Sequence, residues 1–231
     1  MTTRQTNKRK KSEQQQFVLP DIPERDPDDM TSSKHLSRNG NHHHLMQHLG
    51  KQETTIVSGE MYITPAPGSE MRYPDLMVVF DSDPVAYERS NGYIISQQRK
   101  PPDFVLEIAS RTTATIDTTE KRDWYASLGV PEYWRFDETG EFHGTPLAGD
   151  RLVDGAYEPI AIETVEEGVL QGFCAVLNLY IRWERGELRW HDPATGQEIP
   201  TFLQERDARL AAEARVRQLE EELARREAGS R

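Results

Sequence analysis

Two short apolar runs, each with one acidic residue, constrain the fold of this chain more than any other feature. The run 76–80 directly follows Pro74-Asp75, and Glu107 lies inside the run Phe104-Val-Leu-Glu-Ile-Ala. Apolar runs of this length predict buried strands of an α/β sheet. Asp75 could simply form a turn, and strand alternation could place Glu107 on a solvated face. A carboxylate among buried neighbours, however, needs an ion partner or a metal, which favours a functional site.

A helix predicted over about 118–128 adds an ammonium group to these carboxylates. Asp117, Lys121 and Tyr125 are four residues apart, so they would share one helical face. That face would bring Lys121 to Asp75 and Glu107, with Asp117 or Tyr125 orienting the ammonium. The spacing equally allows an ordinary intrahelical ion pair between Asp117 and Lys121. Two carboxylates and one lysine are what metal-dependent phosphodiester cleavage requires, since carboxylate oxygens suit Mg²⁺ or Mn²⁺.

Composition bounds the organisation of the chain and its partners. The 231 residues suffice for one substantial core, and a net charge of −11 argues against general binding of polyanions. Without a long apolar stretch or an apolar run behind the first residues, we expect no membrane contact and a cytoplasmic location. We expect a disordered basic and polar tail over 1–33, a folded domain over 34–200 and a charged helix over 201–231.

The predicted carboxyl-terminal helix carries a short apolar seam. Ala212, Val216, Leu219 and Leu223 are spaced four, three and four residues apart, as in a coiled coil. The seam is hardly two heptads long, so it would be marginal alone. The sequence leaves open whether this helix pairs with a second copy, giving a homodimer, or is a single solvated helix.

Four motifs resemble the Uma-two family of bacterial proteins, which have a restriction-endonuclease-like, PD-(D/E)XK fold. They are Tyr73-Pro-Asp-Leu-Met-Val-Val-Phe, Pro102-Asp-Phe-Val-Leu-Glu-Ile-Ala-Ser, Asp117-Thr-Thr-Glu-Lys-Arg-Asp-Trp-Tyr and Gly129-Val-Pro-Glu-Tyr-Trp-Arg-Phe-Asp. The resemblance spans roughly residues 35–190 and implies a mixed sheet flanked by helices, followed by a β-rich extension after residue 140.

The resemblance also implies a function and its residues. Asp75 and Glu107 would hold Mg²⁺ or Mn²⁺ together with the backbone carbonyl of Ile108. Lys121 would serve the hydrolysis of a nucleic acid, with DNA favoured over RNA. In PD-(D/E)XK nucleases the lysine normally lies two residues after the second acid, where this chain has Ala109. That departure and the net charge of −11 favour the alternative, a non-catalytic module that binds nucleic acid or protein.

Overall fold

The computed structural model describes residues 32–49, 53–111, 113–200 and 202–229. Most of the predicted tail over 1–33 therefore lies outside the described residues. The described part is a mixed α/β structure, as predicted. Its strands, in chain order, are β1 (Ile56–Ser58), β2 (Ile63–Thr64), β3 (Leu76–Val79), β4 (Tyr93–Ile94), β5 (Phe104–Ile108), β6 (Glu132–Phe136), β7 (Leu147–Val153), β8 (Ala156–Pro159), β9 (Ile162–Glu166), β10 (Val169–Cys174), β11 (Leu179–Glu184) and β12 (Glu187–His191).

Six of these strands form the main sheet, in the order β1-β3-β5-β6-β7-β8. Strands β5 and β6 are parallel, and the other neighbouring pairs are antiparallel. Strands β7 and β8 therefore extend the main sheet, although the sequence placed them in the β-rich extension. The extension itself is an antiparallel sheet of β9 to β12, and β2 pairs with β4 in a small parallel sheet.

Strand β5 is buried on both faces of the main sheet, because successive side chains point in opposite directions. Leu106 and Ile108 face a core shared with the β9–β12 sheet, where the Phe104 and Trp190 rings lie 6.2 Å apart. Val105 faces the second core, formed against the helices by Met77, Tyr125, Tyr133 and their neighbours. Glu107 shares the parity of Val105, so its carboxylate points to the helix-covered face.

The helices around the sheet include a π-helical segment, Ser33–Arg38, and α1 to α6. Their bounds are α1 (Asn41–Leu49), α2 (Pro84–Ser90), α3 (Ile95–Gln98), α4 (Ala114–Thr118), α5 (Glu120–Leu128) and α6 (Phe202–Gly229). The single helix predicted over 118–128 was wrong in one respect, because Thr119 breaks it with a ψ of −85°. Asp117 therefore lies on α4, whereas Lys121 and Tyr125 lie on α5.

The carboxyl-terminal helix α6 extends over Phe202–Gly229, as predicted. Its side chains are exposed over 203–222, including Val216 and Leu219 of the predicted seam. Pairing of this seam with a second copy remains a prediction. Among the described helices, none is both long and apolar enough to cross a membrane.

Candidate active site

Asp75 lies where β3 begins, directly beside the end of β5. The antiparallel register pairs Leu76 with Leu106, so its continuation places Asp75 opposite Glu107. The backbone N–H of Ile108 donates to Asp75 Oδ2 at 2.7 Å. Position 59 requires glycine here, because a Cβ at Gly59 would lie 2.6 Å from the Asp75 carbonyl oxygen. The chain before β2 thus packs directly against the strand that carries Asp75.

Glu107 is the buried carboxylate of the site, with only 1 % of its surface exposed. Lys121 Nζ lies 2.7 Å from Glu107 Oε2 and donates a hydrogen bond to it. The Tyr125 hydroxyl donates to Glu107 Oε1 at 3.0 Å. The face of α5 that carries Lys121 and Tyr125, one turn apart, therefore packs over the end of β5. Of the two residues predicted as alternatives for orienting Lys121, Tyr125 contacts the carboxylate of Glu107.

Asp117 forms a second ion pair with the Lys121 ammonium. Its Oδ1 lies 2.8 Å from Lys121 Nζ as an ion pair, although α4 and α5 are separate helices. The Thr113 hydroxyl donates to Asp117 Oδ2 at 2.9 Å, and the Tyr133 hydroxyl donates to the Asp117 carbonyl at 2.9 Å. These contacts fix Asp117 on the sheet, so the ammonium is held between two buried carboxylates.

His143 contacts Asp117 and was not among the residues that the sequence predicted for the site. Its side chain is buried, and its Nε2 lies 3.3 Å from Asp117 Oδ2. His143 lies in an irregular loop between β6 and β7. The loop folds around Asp137, whose carboxylate accepts backbone N–H groups of Thr139, Gly140, Phe142 and His143. An aspartate followed by Thr, Gly and polar residues was the available signal, since such aspartates often bond nearby backbone.

The site carries more acid than base, with Glu107 and Asp117 buried and Asp75 half-buried. Asp75, Glu107 and Asp117 contribute three carboxylates, and Lys121 is the ammonium that contacts two of them. Burial raises the pKa of Asp75 to about 6, against the hydrogen bond from Ile108 and the charge of Lys121. Burial likewise raises the pKa of Glu107 well above its ordinary value, despite the nearby Lys121. Ionising all three carboxylates is therefore costly unless further positive charge enters the site.

Asp117 and Lys121 shift in the opposite sense, toward their charged forms. Burial opposes the ionisation of Asp117, but hydrogen bonding from His143 and the Lys121 charge lower its pKa overall. Burial also opposes the charge on Lys121, yet Glu107 and Asp117 raise its pKa overall. Lys121 is therefore a permanent ammonium, which stabilises negative charge and does not serve as a base.

The donor set fits a hard divalent cation. In the described stretches of the chain, no group of three or more His, Cys, Asp and Glu side chains is arranged to hold a metal ion. Asp75 and Glu107 are two oxygen donors, and Mg²⁺ usually takes one or two carboxylates beside water and substrate phosphate. Asp75 also lines a cleft of about 200 Å³ together with Glu60 and His42.

Comparisons with known proteins identify the family of the chain. A model of the family Uma2, described as "Putative restriction endonuclease", matches residues 29–213. A similar solved structure is described as a putative nuclease belonging to DUF820 from Anabaena variabilis ATCC 29413. It is 16 % identical, covers 63 % of this chain and 75 % of its own, and has a TM-score of 0.40. No curated protein matches the chain. Since the family model covers well over half of the sequence, the chain belongs to the Uma2 family of restriction-endonuclease-like proteins, as its motifs predicted.

Proposed function

We propose that this protein is a metal-dependent endonuclease that hydrolyses nucleic-acid phosphodiesters with Mg²⁺ or Mn²⁺. The observation that carries the proposal is the charge imbalance of the site, which holds three carboxylates, Asp75, Glu107 and Asp117, and one lysine that pairs with the last two. A purely structural ion pair gains nothing from surplus buried acid, which destabilises the fold. A divalent cation supplies the missing positive charge, and membership of the Uma2 family supports the same class of activity.

The cation would be held by Asp75 and Glu107, with the Ile108 carbonyl as a further oxygen donor. When bound, such a cation lowers the pKa of a coordinated water and neutralises charge on the phosphate. The Ile108 N–H keeps Asp75 Oδ2 in place, which leaves Asp75 Oδ1 without a hydrogen bond from the described residues. Tyr125 fixes the orientation of Glu107 from the helix side. The chain thus presents oxygen donors whose directions are set before any ligand arrives.

Lys121 would stabilise the attacking water or the charge that develops on the phosphate. Its ammonium is permanent, because Glu107 and Asp117 raise its pKa against the effect of burial. Asp117 would orient it, since the carboxylate is itself fixed by Thr113 and His143. This role does not require the lysine to follow the second acid in sequence. A residue on α5 reaches the same carboxylate, which accommodates Ala109 at the usual lysine position.

The test is cleavage of labelled DNA and RNA, single-stranded and duplex, with Mn²⁺ or Mg²⁺. Asp75→Asn and Glu107→Gln should abolish cleavage without lowering the melting temperature of the metal-free protein, because each removes surplus buried acid. Asp103→Asn is the matched control, since Asp103 lies at the other end of β5 and pairs with Lys100 at 2.7 Å. That variant should cleave as the parent does. A parent that neither cleaves any of these substrates nor gains thermal stability with Mn²⁺ contradicts the proposal.

A non-catalytic binding module is the second candidate. It is favoured by the hydrogen bonds of Glu107, because Lys121 and Tyr125 already donate to its two oxygens. A metal ion would have to compete with these donors for the carboxylate. Such a module would bind oligonucleotides or a protein equally well in EDTA, with no cleavage and no dependence on Asp75. Retention of the oligonucleotide with Mn²⁺ present, without any product, would select this candidate.

We further propose that α6 pairs with a second copy of the chain. Val216 and Leu219, two members of the predicted seam, are 53 % and 43 % exposed. Exposed apolar side chains at coiled-coil spacing are covered when two such helices associate. Truncation after Pro200 should leave a folded, monomeric domain, measured by sedimentation and thermal melting. A full-length chain that stays monomeric at high concentration would make α6 a single solvated helix.

A further inference from the structure

Two large apolar side chains are exposed immediately before the candidate catalytic aspartate. Tyr73 is 55 % exposed and Met71 is 45 % exposed, and the Tyr73 hydroxyl donates to Met71 Sδ at 3.3 Å. Tyr73 is separated from Asp75 only by Pro74. Large exposed apolar groups that cluster beside a polar site mark contact with a ligand more often than isolated ones do.

A rigid support lies behind the Tyr73 ring. The Tyr62 and Tyr73 rings meet edge to face, with centroids 6.3 Å apart. The Tyr62 hydroxyl donates to the Ser90 carbonyl at 2.7 Å. A Cβ at Gly92 would lie 2.3 Å from the Tyr62 ring, so that ring lies directly on the Gly92 backbone. Tyr62 is therefore held by Ser90 and Gly92 and contacts the Tyr73 ring, although Tyr73 as a whole stays 55 % exposed.

The same segment is joined to the helix that carries Lys121. Arg72 exchanges backbone hydrogen bonds with Ile63, at 2.8 and 3.1 Å. Its guanidinium lies 2.6 Å from Glu70 and 3.7 Å from Glu120, which begins α5 directly before Lys121. The exposed aromatic segment and the candidate catalytic ammonium thus border the same site.

We propose that Tyr73, supported by Tyr62 and Met71, is a stacking surface for an unpaired base of the substrate, so that the substrate class is single-stranded nucleic acid. This inference rests on the proposed nuclease function of the same site. The Cα atoms of Tyr73 and Asp75 are at most ~7 Å apart, which places the ring within reach of a base whose phosphate lies at Asp75. An unpaired base can lie flat on an aromatic ring, whereas a base inside a duplex cannot.

The net charge supports base stacking as the source of affinity. Duplex binding without sequence preference depends on clustered lysine and arginine, but this chain has 28 basic and 39 acidic residues. The arginine nearest to the aromatic segment, Arg72, is already paired with Glu70. Stacking on an aromatic ring needs no surplus positive charge.

The test measures binding of the full chain in EDTA, by fluorescence anisotropy, so that it does not depend on cleavage. The probes are a labelled twelve-residue oligothymidylate, its ribonucleotide counterpart, an abasic strand of equal length and charge, and a duplex. We expect the parent to bind the strands with bases at least about tenfold more tightly than the abasic strand or the duplex. The two strands with bases then tell whether the ribose 2′-hydroxyl matters.

Two variants of Tyr73 and one control test whether its ring causes the preference for strands with bases. Tyr73→Ala should lose about tenfold in affinity for the strands with bases and nothing for the abasic strand. Tyr73→Phe, which keeps the ring, should bind as the parent does. Phe173→Ala is the control, because Phe173 is 36 % exposed and forms a similar edge-to-face pair with Tyr180 on the far sheet. It should change no affinity.

The inference fails if Tyr73→Ala binds the strands with bases as tightly as the parent, or if the parent does not distinguish these strands from the abasic one. Concentration-dependent association that Tyr73→Ala abolishes, without oligonucleotide binding, would overturn it in favour of a protein interface. Loss of the proposed function is distinguishable from these outcomes. A protein that binds through Tyr73 but never cleaves leaves the stacking surface intact, whereas cleavage with an unchanged KM in Tyr73→Ala refutes the surface alone.

Discussion

Two adjacent residues of α5, Lys121 and Arg122, contact two ionic clusters, one with more acidic than basic side chains and one with more basic than acidic. The acid cluster is defined as Asp75, Glu107 and Asp117, and Lys121 contacts two of its three carboxylates. Arg122 contacts the arginine cluster, in which Asp150 accepts from Arg122 at 2.9 Å and from Arg135 at 2.8 Å. In the arginine cluster the single acid pairs with two partly exposed cations, so no carboxylate lacks a counter-charge.

The difference teaches how a structural ion cluster can be told from a functional one. Both clusters are buried and well hydrogen-bonded, so neither burial nor hydrogen bonding distinguishes them. The two clusters differ instead in their balance of acidic and basic side chains. Burial of a balanced or cation-rich cluster can be tolerated by the fold alone, whereas surplus buried acid raises carboxylate pKa values and destabilises the metal-free protein. Such a cost is commonly retained where a site needs it for function.

The largest expected effect is on stability, in the arginine cluster. Asp150→Ala should lower the free energy of unfolding by ~3–5 kcal/mol, because it leaves two arginines partly buried without their partner. Urea denaturation measures this loss. Asp123→Ala is the control, since Asp123 is an exposed neighbour 4.0 Å from the same Arg122. Exposed pairs contribute little, so this variant should lose less than ~1 kcal/mol. Equal losses of unfolding free energy in Asp150→Ala and Asp123→Ala would show that Asp150 is no more important for stability than an exposed acid.

The next largest effect is on catalysis, in the acid cluster. Lys121→Ala should lower the cleavage rate about a hundredfold, which corresponds to ~3 kcal/mol of lost transition-state stabilisation. The rise in melting temperature with Mn²⁺ should be at least as large as in the parent, since the cation replaces the missing positive charge. Lys100→Ala, which removes the partner of Asp103, should retain the parent rate. Loss of the Mn²⁺ response in Lys121→Ala would mean that the lysine builds the metal site itself.

A smaller effect is expected at His143, which acts on Lys121 only through Asp117. His143→Ala should lower kcat about tenfold and leave KM for the oligonucleotide unchanged, because the ammonium loses part of its orientation. His143→Asn, which keeps a donor near Asp117, should recover part of the rate. His48→Ala is the control on an exposed histidine. A change in KM alone, or no recovery with asparagine, would argue against a positioning role.

The smallest effect is a pH dependence of the metal-free fold. Burial raises the pKa of Asp75 to about 6 in the folded chain, above its ordinary value of 3.8. The stability that protonated Asp75 contributes is therefore present below about pH 4 and lost as the pH rises through about 6. At this half-buried position the loss should be about 1 kcal/mol after solvent screening. Melting of the parent minus that of Asp75→Asn across this range, in EDTA, isolates the contribution.

Divalent cations should act in the opposite direction over the same range. Because the cation binds ionised carboxylates, the rise in melting temperature with Mn²⁺ should grow as the pH increases through about 6. An Mn²⁺ response that is flat with pH would show that Asp75 is not among the metal-binding groups.

Local sequence patterns were sufficient for the strands that carry the acids. Apolar runs of four or five residues are the length of strands and too short for helices, so they predicted β3 and β5, with Asp75 just before β3 and Glu107 inside β5. The helical spacing also predicted that Lys121 and Asp117 would meet, although Thr119 divides the helix between them. The break at Thr119 leaves Asp117 and Lys121 in contact, as they would be in one continuous helix.

The sequence by itself thus determined the α/β class, the family and the strand positions of Asp75 and Glu107, since each depends on neighbours within a few residues. Only the tertiary structure decided which cluster Lys121 and Arg122 each join, because consecutive helix residues point about 100° apart and their partners lie on distant strands. The same holds for the contact between His143 and Asp117 and for the exposure of Tyr73. Each depends on how separate elements pack, and a local pattern carries no information about packing between them.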